Sequence, residues 1–119
     1  MGIFDLSPIE YQKFLFVLLR VGALIMFFPV LGSGQVPGRI KVGLILFVSI
    51  AVFPVVRATP MHDPKSLFEL VVSLFSEITI GLAVAYSARL MFTAVQIAGT
   101  VVDFQMGFGV VNVIDPQTE

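Results

Sequence analysis

The hydrophobic pattern divides the chain into three long apolar blocks and one short alternating tail, separated by connectors rich in proline and glycine. The first block follows Ser7-Pro8-Ile9-Glu10. This is a capping-box pattern: the serine accepts from the amide three residues on, the glutamate reaches back, and proline suits the first helical position. It predicts a helix over about 8–28, stopped by Pro29 and the connector "VLGSGQVPG". The second block, "RIKVGLILFVSIAVFPVV", predicts a helix over about 37–56 that kinks or ends at Pro54. Its uncharged part, Val42 to Val56, spans roughly 22 Å, so it is expected to cross a hydrocarbon core of about 30 Å only marginally.

After the polar connector "RATPMHDPK", Asp63-Pro64 reads as the N-cap and first residue of a third helix over about 64–104. Glu77 and Arg89 interrupt it, and each is expensive against lipid, so protein is expected to cover them. Glu77, Gly81, Ala85 and Arg89 recur every fourth residue and form one ridge, whose small members permit close helix approach. Two readings of the charges follow. Glu77 is a proton-relay carboxylate, or both charges are interhelical ion-pair or carbonyl partners that fix assembly. The second is favoured, because no other carboxylate sits within a helical turn and buried charges are usually paired. Arg20, alone in the first helix, is read in the same way.

In the tail, Phe104, Met106, Phe108 and Val110 alternate with Gln105, Gly107 and Gly109. A period of two predicts an extended segment with one apolar face. On the pattern alone, a short buried strand or an interhelical loop in a protein core is the favoured reading.

Composition adds a medium. Hydrophobic residues make up 57% of the chain and charged ones 13%, with a mean hydropathy of +1.00, whereas soluble domains carry about 25% charged residues. A chain of 119 residues this apolar cannot hide its surface inside itself and needs lipid, partner subunits or both. A net charge of −1 without a basic run excludes nucleic acid as a partner. The absence of cysteine excludes disulfides, thiolate metal sites and cysteine nucleophiles. The N-terminus lacks a basic region and a cleavage site and reads as mature sequence. "GSGQVPG" has neither a Gly-Lys-Ser/Thr ending nor a preceding strand, so it is not a phosphate cradle. His62 stands alone in a connector and cannot build a zinc site. No catalytic set, cofactor or metal is expected. Lysine and arginine are spread too evenly to orient the chain in a membrane.

Taken in order, Arg20, Pro29, "QVPGRIKVGL", "SEITIGLAVA" and "QIAGTVVDFQMGFGVVNVIDP" resemble the N-terminal half of the FliR family, called SctT in injectisomes, of the bacterial type III export gate. The most specific part is the spacing of Gln96, Gly99, Asp103, Gln105, Gly107, Asp115 and Pro116, supported by Val36-Pro37 with Arg39 and by Glu77 with Gly81. Ala85 stands where a glycine is often found. "MGFGVVNVIDPQ" looks closer to flagellar members than to injectisome ones.

The resemblance implies an all-α chain of long apolar helices in hairpins within a helical, membrane-associated assembly. Residues 1–119 would form the N-terminal portion of one subunit, with a non-helical plug over about 105–116. It implies FliP and FliQ as partner subunits, with FlhB and FlhA, contact with membrane lipid, and unfolded flagellar proteins as substrates. The location implied is the bacterial inner membrane, in the flagellar basal body. On this reading Phe104, Met106, Phe108, Val110 and Val111 seal a channel, since phenylalanine and methionine close a lumen by dewetting. Gln105 belongs to the same plug, Gly107 and Gly109 hinge it, and Asp115-Pro116 end it. Arg20, Pro37, Arg39, Glu77, Gly81, Arg89, Gly99 and Asp103 hold helices together. Two other classes of function stay open: an ion-coupled transporter in which Glu77 and Asp103 carry protons, and a passive membrane scaffold.

Overall fold

The structure, a computed structural model, describes residues 5–107 together with Ile114. It is all-α, with α1 over Pro8–Phe27, α2 over Gly38–Arg57 and α3 over Leu67–Met106. No strand occurs among the described residues.

Local chemistry sets the helix ends. At the start of α1 the Ser7 amide donates to Glu10 Oε2 at 2.7 Å and the Glu10 amide donates to the Ser7 carbonyl at 2.9 Å. Phe28 leaves the helical region at the far end, as a residue preceding proline tends to do. The connector folds back on itself there, with the Gly32 amide on the Phe28 carbonyl at 2.7 Å. A side chain at Gly32 would collide with the carbonyls of Met26 and Phe28, so the turn needs a residue without one.

Helix α2 begins after Pro37, whose carbonyl accepts from the Ile40 and Lys41 amides. It passes through Pro54 and ends at Arg57, rather than stopping at the proline. Proline this close to a C-terminus removes only the bond to the Ile50 carbonyl, and α1 supports the last turn: Lys13 Nζ donates to the Arg57 carbonyl at 3.2 Å and the Thr59 carbonyl at 2.9 Å. The whole helix of 20 residues is about 30 Å long, the thickness of a hydrocarbon core, with Arg39, Lys41 and Arg57 lying outside its uncharged stretch.

Helix α3 starts three residues later than Asp63-Pro64 implies. Ser66 is the N-cap, its Oγ accepting from the Glu69 amide at 3.2 Å while Glu69 Oε2 accepts from the Lys65 amide at 2.8 Å. The far end differs too. Phe104, Gln105 and Met106 are the last turn of α3 and not the start of an extended plug. Gly107 closes the helix at φ 80, in the left-handed region that glycine enters freely, its amide on the Phe104 carbonyl at 3.2 Å. The physical reason is that no proline interrupts the ladder, so i to i−4 bonding runs through Gly81 and Gly99 and on past Phe104 to Gly107, which takes the positive φ. Of the remaining plug positions, Phe108, Gly109, Val110, Val111, Asp115 and Pro116 lie outside the described residues.

Helix α1 is the middle helix, and α2 and α3 each pack on it without close approach to one another. With α2 it forms an antiparallel hairpin in a single register: Glu10 meets Arg57, Phe14 stacks edge-on against Phe53 with ring centroids 5.6 Å apart, and Gly22 lies against Ile45. Each pair is placed symmetrically about Ser33-Gly34. With α3 the pairing is parallel, since Arg20 meets Glu77 and Phe28 meets Phe92 at 6.3 Å between centroids. The core this makes is small. Phe16, Val17, Ile25 and Ala85 are its buried apolar side chains, with Gly81 and Ser49 at the two helix crossings. The Ser49 hydroxyl has no hydrogen-bond partner among the described residues, in contrast to Ser73, Thr79, Ser87, Thr93 and Thr100 of α3, which all donate to the carbonyl four residues back.

Candidate functional site

The α1–α3 crossing is built on Gly81. A Cβ there would lie 2.5 Å from the Arg20 carbonyl oxygen and 3.0 Å from Ala23 Cβ, so the two backbones touch where only hydrogen fits. One turn on, Ala85 is fully buried. One turn back, Glu77 Oε2 accepts from Arg20 Nε at 2.6 Å. The Glu77 side chain is 13% exposed and that of Arg20 47%, so the carboxylate is the covered member and would stand uncompensated if Arg20 were removed. The ridge of small residues thus lets α3 approach, and its acid is neutralised by α1. The structure places Arg89, the other charge of the ridge, elsewhere: it lies beside Phe27 and Tyr86, without an ion-pair partner among the described residues.

Sequence reasoning missed a second crossing, at the α1–α2 end. Glu10 serves its own helix start and also forms an ion pair with Arg57, and Lys13 holds the carbonyls at the end of α2. The Ser7 amide, with the Arg57 guanidinium beside it, holds the Glu10 carboxyl below its ordinary value. The hairpin symmetry about Ser33-Gly34 is the signal that brings Glu10 opposite Arg57. Pro37 and Arg39 sit at the opening of α2 near the connector, with Arg39 exposed.

The third feature is the free length of α3. From Arg89 to Gly107 every residue is exposed, a stretch of roughly 27 Å along the axis. The face that α1 covers at Ala85 and Phe92 continues as Gln96, Gly99 and Asp103, at the three- and four-residue spacing of a packing seam. Nothing approaches Gly99 within 4 Å of where its Cβ would be. The other faces carry Leu90, Met91, Val95, Ile97, Val101, Val102, Phe104 and Met106, all exposed. A helix apolar all round is one that lipid or protein surrounds.

These features define a membrane-associated helical chain whose core is completed by something outside it. Helices α2 and α3 are each long and apolar enough to cross a bilayer. The family model "Bacterial export proteins, family 1" matches residues 11–119, and the chain belongs to that family. Among its relatives, the flagellar biosynthetic protein FliR of Bacillus subtilis (strain 168) is 37% identical over 117 residues, which cover 98% of this chain and 43% of the relative. FliR of Escherichia coli (strain K12) is 36% identical over 101 residues, 83% of this chain and 37% of the relative. FliR of Aquifex aeolicus (strain VF5) is 27% identical over 115 residues, 93% of this chain and 44% of the relative. The chain therefore spans less than half the length of the curated relatives it matches. No solved structure matches it.

Proposed function

We propose that this chain is the N-terminal portion of a subunit of the flagellar type III export gate, set in the bacterial inner membrane within the flagellar basal body. Its α3 packs among FliP and FliQ subunits, FlhB and FlhA lie nearby, and unfolded flagellar proteins pass through the channel so formed. The observation that carries this reading is the uncovered length of α3. Its outer faces suit lipid or protein alike, but the seam beyond Gln96, with Gly99 and Asp103, suits protein, since small and polar residues on one stripe admit a second helix and a carboxylate facing lipid is costly. Phe104, Gln105 and Met106, now in the last turn, carry the chain to Gly107, where a positive φ turns it out of the helix axis. From there Phe108 to Pro116 contribute the plug, with Phe108, Val110 and Val111 sealing and Gly109 giving the segment freedom to move aside.

The transporter alternative loses ground on geometry. Glu77 is neutralised by Arg20, and Asp103 lies 26 residues further along the same helix, about 39 Å away, so the two carboxylates cannot hand over a proton directly. The test uses the full-length polypeptide co-expressed with FliP and FliQ. This segment contains no cysteine, so Gly99→Cys provides a placed probe. It is expected to cross-link to a partner subunit, whereas Val55→Cys on α2, used for comparison, is not required to. Reaction of Gly99→Cys with a lipid-soluble thiol reagent but with no partner would show a lipid-facing seam and refute the reading.

A further inference from the structure

Arg89 is the cation within an apolar helix that the fold leaves without a partner among the described residues. Among the described residues Arg20 is paired with Glu77, Arg57 with Glu10, Lys13 with two carbonyls, and Lys41 with the Gly32 carbonyl at 3.3 Å. Arg39 and Lys65 lie at helix entrances. Arg89 lies well inside an apolar helix, where a cation without a counter-charge is expensive.

Its surroundings are two-sided. On one side lies a groove of about 410 Å³, walled by Phe27, Leu82, Ala83 and Tyr86 and almost wholly apolar. On the other lies a groove of about 520 Å³ with mixed walls, where Thr93 and Gln96 of α3 and Ser33 of the connector add polar groups to Met26, Phe28 and Phe92. The two meet at Phe27 and Arg89. Two of the polar groups are already engaged, Thr93 Oγ1 on the Arg89 carbonyl and Ser33 Oγ on the Val30 carbonyl, both at 2.8 Å. The Arg89 guanidinium and the Gln96 carboxamide make no hydrogen bond among the described residues, and no described acidic side chain lines either groove. Free donors on one side of a cation and an open apolar trough on the other complement an amphiphile with an anionic head.

We propose that the α1–α3 cleft at Arg89 binds a phospholipid of net negative charge, its phosphate on Arg89 and Gln96 and an acyl chain along Phe27, Leu82 and Tyr86. Guanidinium suits an oxoanion because its planar donors engage two oxygens at once. Free phosphate offers the same head chemistry but leaves the trough empty. The charge complementarity is matched by context, since α3 is long and apolar enough to lie in a bilayer.

The experiment takes the full-length polypeptide in detergent, in the complex with which it purifies. It is titrated with phosphatidylglycerol, phosphatidylcholine or inorganic phosphate; bound lipid is counted by native mass spectrometry, and helicity is followed by circular dichroism. Phosphatidylglycerol is expected to bind in preference to phosphatidylcholine. Arg89→Gln is expected to weaken it by about tenfold or more, the scale of one charge-assisted bond. Arg89→Lys should recover part of that loss and Lys65→Gln should change nothing. Ala83→Phe fills the trough without touching the charge and should also weaken lipid binding; it carries the test where Arg89→Gln loses helicity. Unchanged phosphatidylglycerol binding in Arg89→Gln overturns the proposal. So does inorganic phosphate binding as tightly as the lipid with Ala83→Phe silent, which would mark a plain anion site. Loss of a partner subunit in Arg89→Gln with lipid binding intact overturns it as well, giving Arg89 to a protein carboxylate.

Discussion

At the scale of residues, two contacts fix how α3 lies on α1. Gly81 admits the Arg20 carbonyl, so any side chain there must push the helices apart. Gly81→Val is expected to destabilise the full-length protein by about 1–3 kcal/mol, the usual cost of overpacking, read as a lower thermal unfolding midpoint. The Arg20–Glu77 pair is tested by a cycle. Glu77→Leu or Arg20→Leu alone leaves one charge facing the crossing, whereas the double variant removes both. The double should be less destabilised than the sum of the singles, and simple additivity would show that the pair does not interact. The sequence marks Arg20, Glu77 and Gly81 as residues that hold helices together, from the cost of charge in an apolar run and the four-residue ridge. It does not show which charge meets which. Glu77 and Arg89 share a ridge, yet the partner of Glu77 is Arg20, 57 residues away on another helix, a pairing that depends on the parallel setting of α1 and α3.

Among elements, helix existence was the legible part and helix ends were not. The capping box at Ser7 and the prolines around the first connector mark α1 correctly because local signals there agree. Before α3 two starting signals compete, Asp63-Pro64 and Ser66 with Glu69. The second prevails: Ser66 Oγ takes the Glu69 amide and Glu69 takes the Lys65 amide, so the helix starts with donors already satisfied. At the other end, Phe104, Gln105 and Met106 suggest a period of two only because the window is short, and over so few residues an all-apolar helix shows the same letters. Gly107→Ala is expected to cost about 1 kcal/mol through its positive φ, seen as lowered helicity or stability. A Gly107→Ala variant as stable as the parent would show that no left-handed residue is needed there.

The α1–α2 hairpin carries the pH dependence. The folded Glu10 carboxyl lies below its ordinary value, so its link to Ser7 and Arg57 contributes fully above the ordinary carboxylate range and fades as pH falls through the folded value. Comparison of Glu10→Gln with the parent by thermal unfolding should show a stability gap at neutral pH that closes in acid. A gap that persisted at the lowest pH would mean the carboxylate charge is not what Glu10 contributes.

For the molecule as a whole, an axis of 63 Å carries too little core to stand alone. Composition alone requires an outside medium, and the fold shows where: along α3 beyond Phe92, where α1 has ended and the packing seam continues without a neighbour among the described residues. Which surface takes lipid and which takes protein was not legible from composition, because both media accept the same apolar side chains. The seam favours protein there, since Gly99 and Asp103 suit a neighbouring helix and suit lipid badly. The proposed function requires that α3 be held in a protein assembly and deliver, past Gly107, the segment that closes its channel. The direct measurement deletes residues 107–113 from the full-length polypeptide, confirms that it still co-purifies with FliP and FliQ, and records leakage of small ions across the membrane. Assembly with leakage is the expected result. Assembly without leakage would place the seal in other subunits and overturn the proposed function.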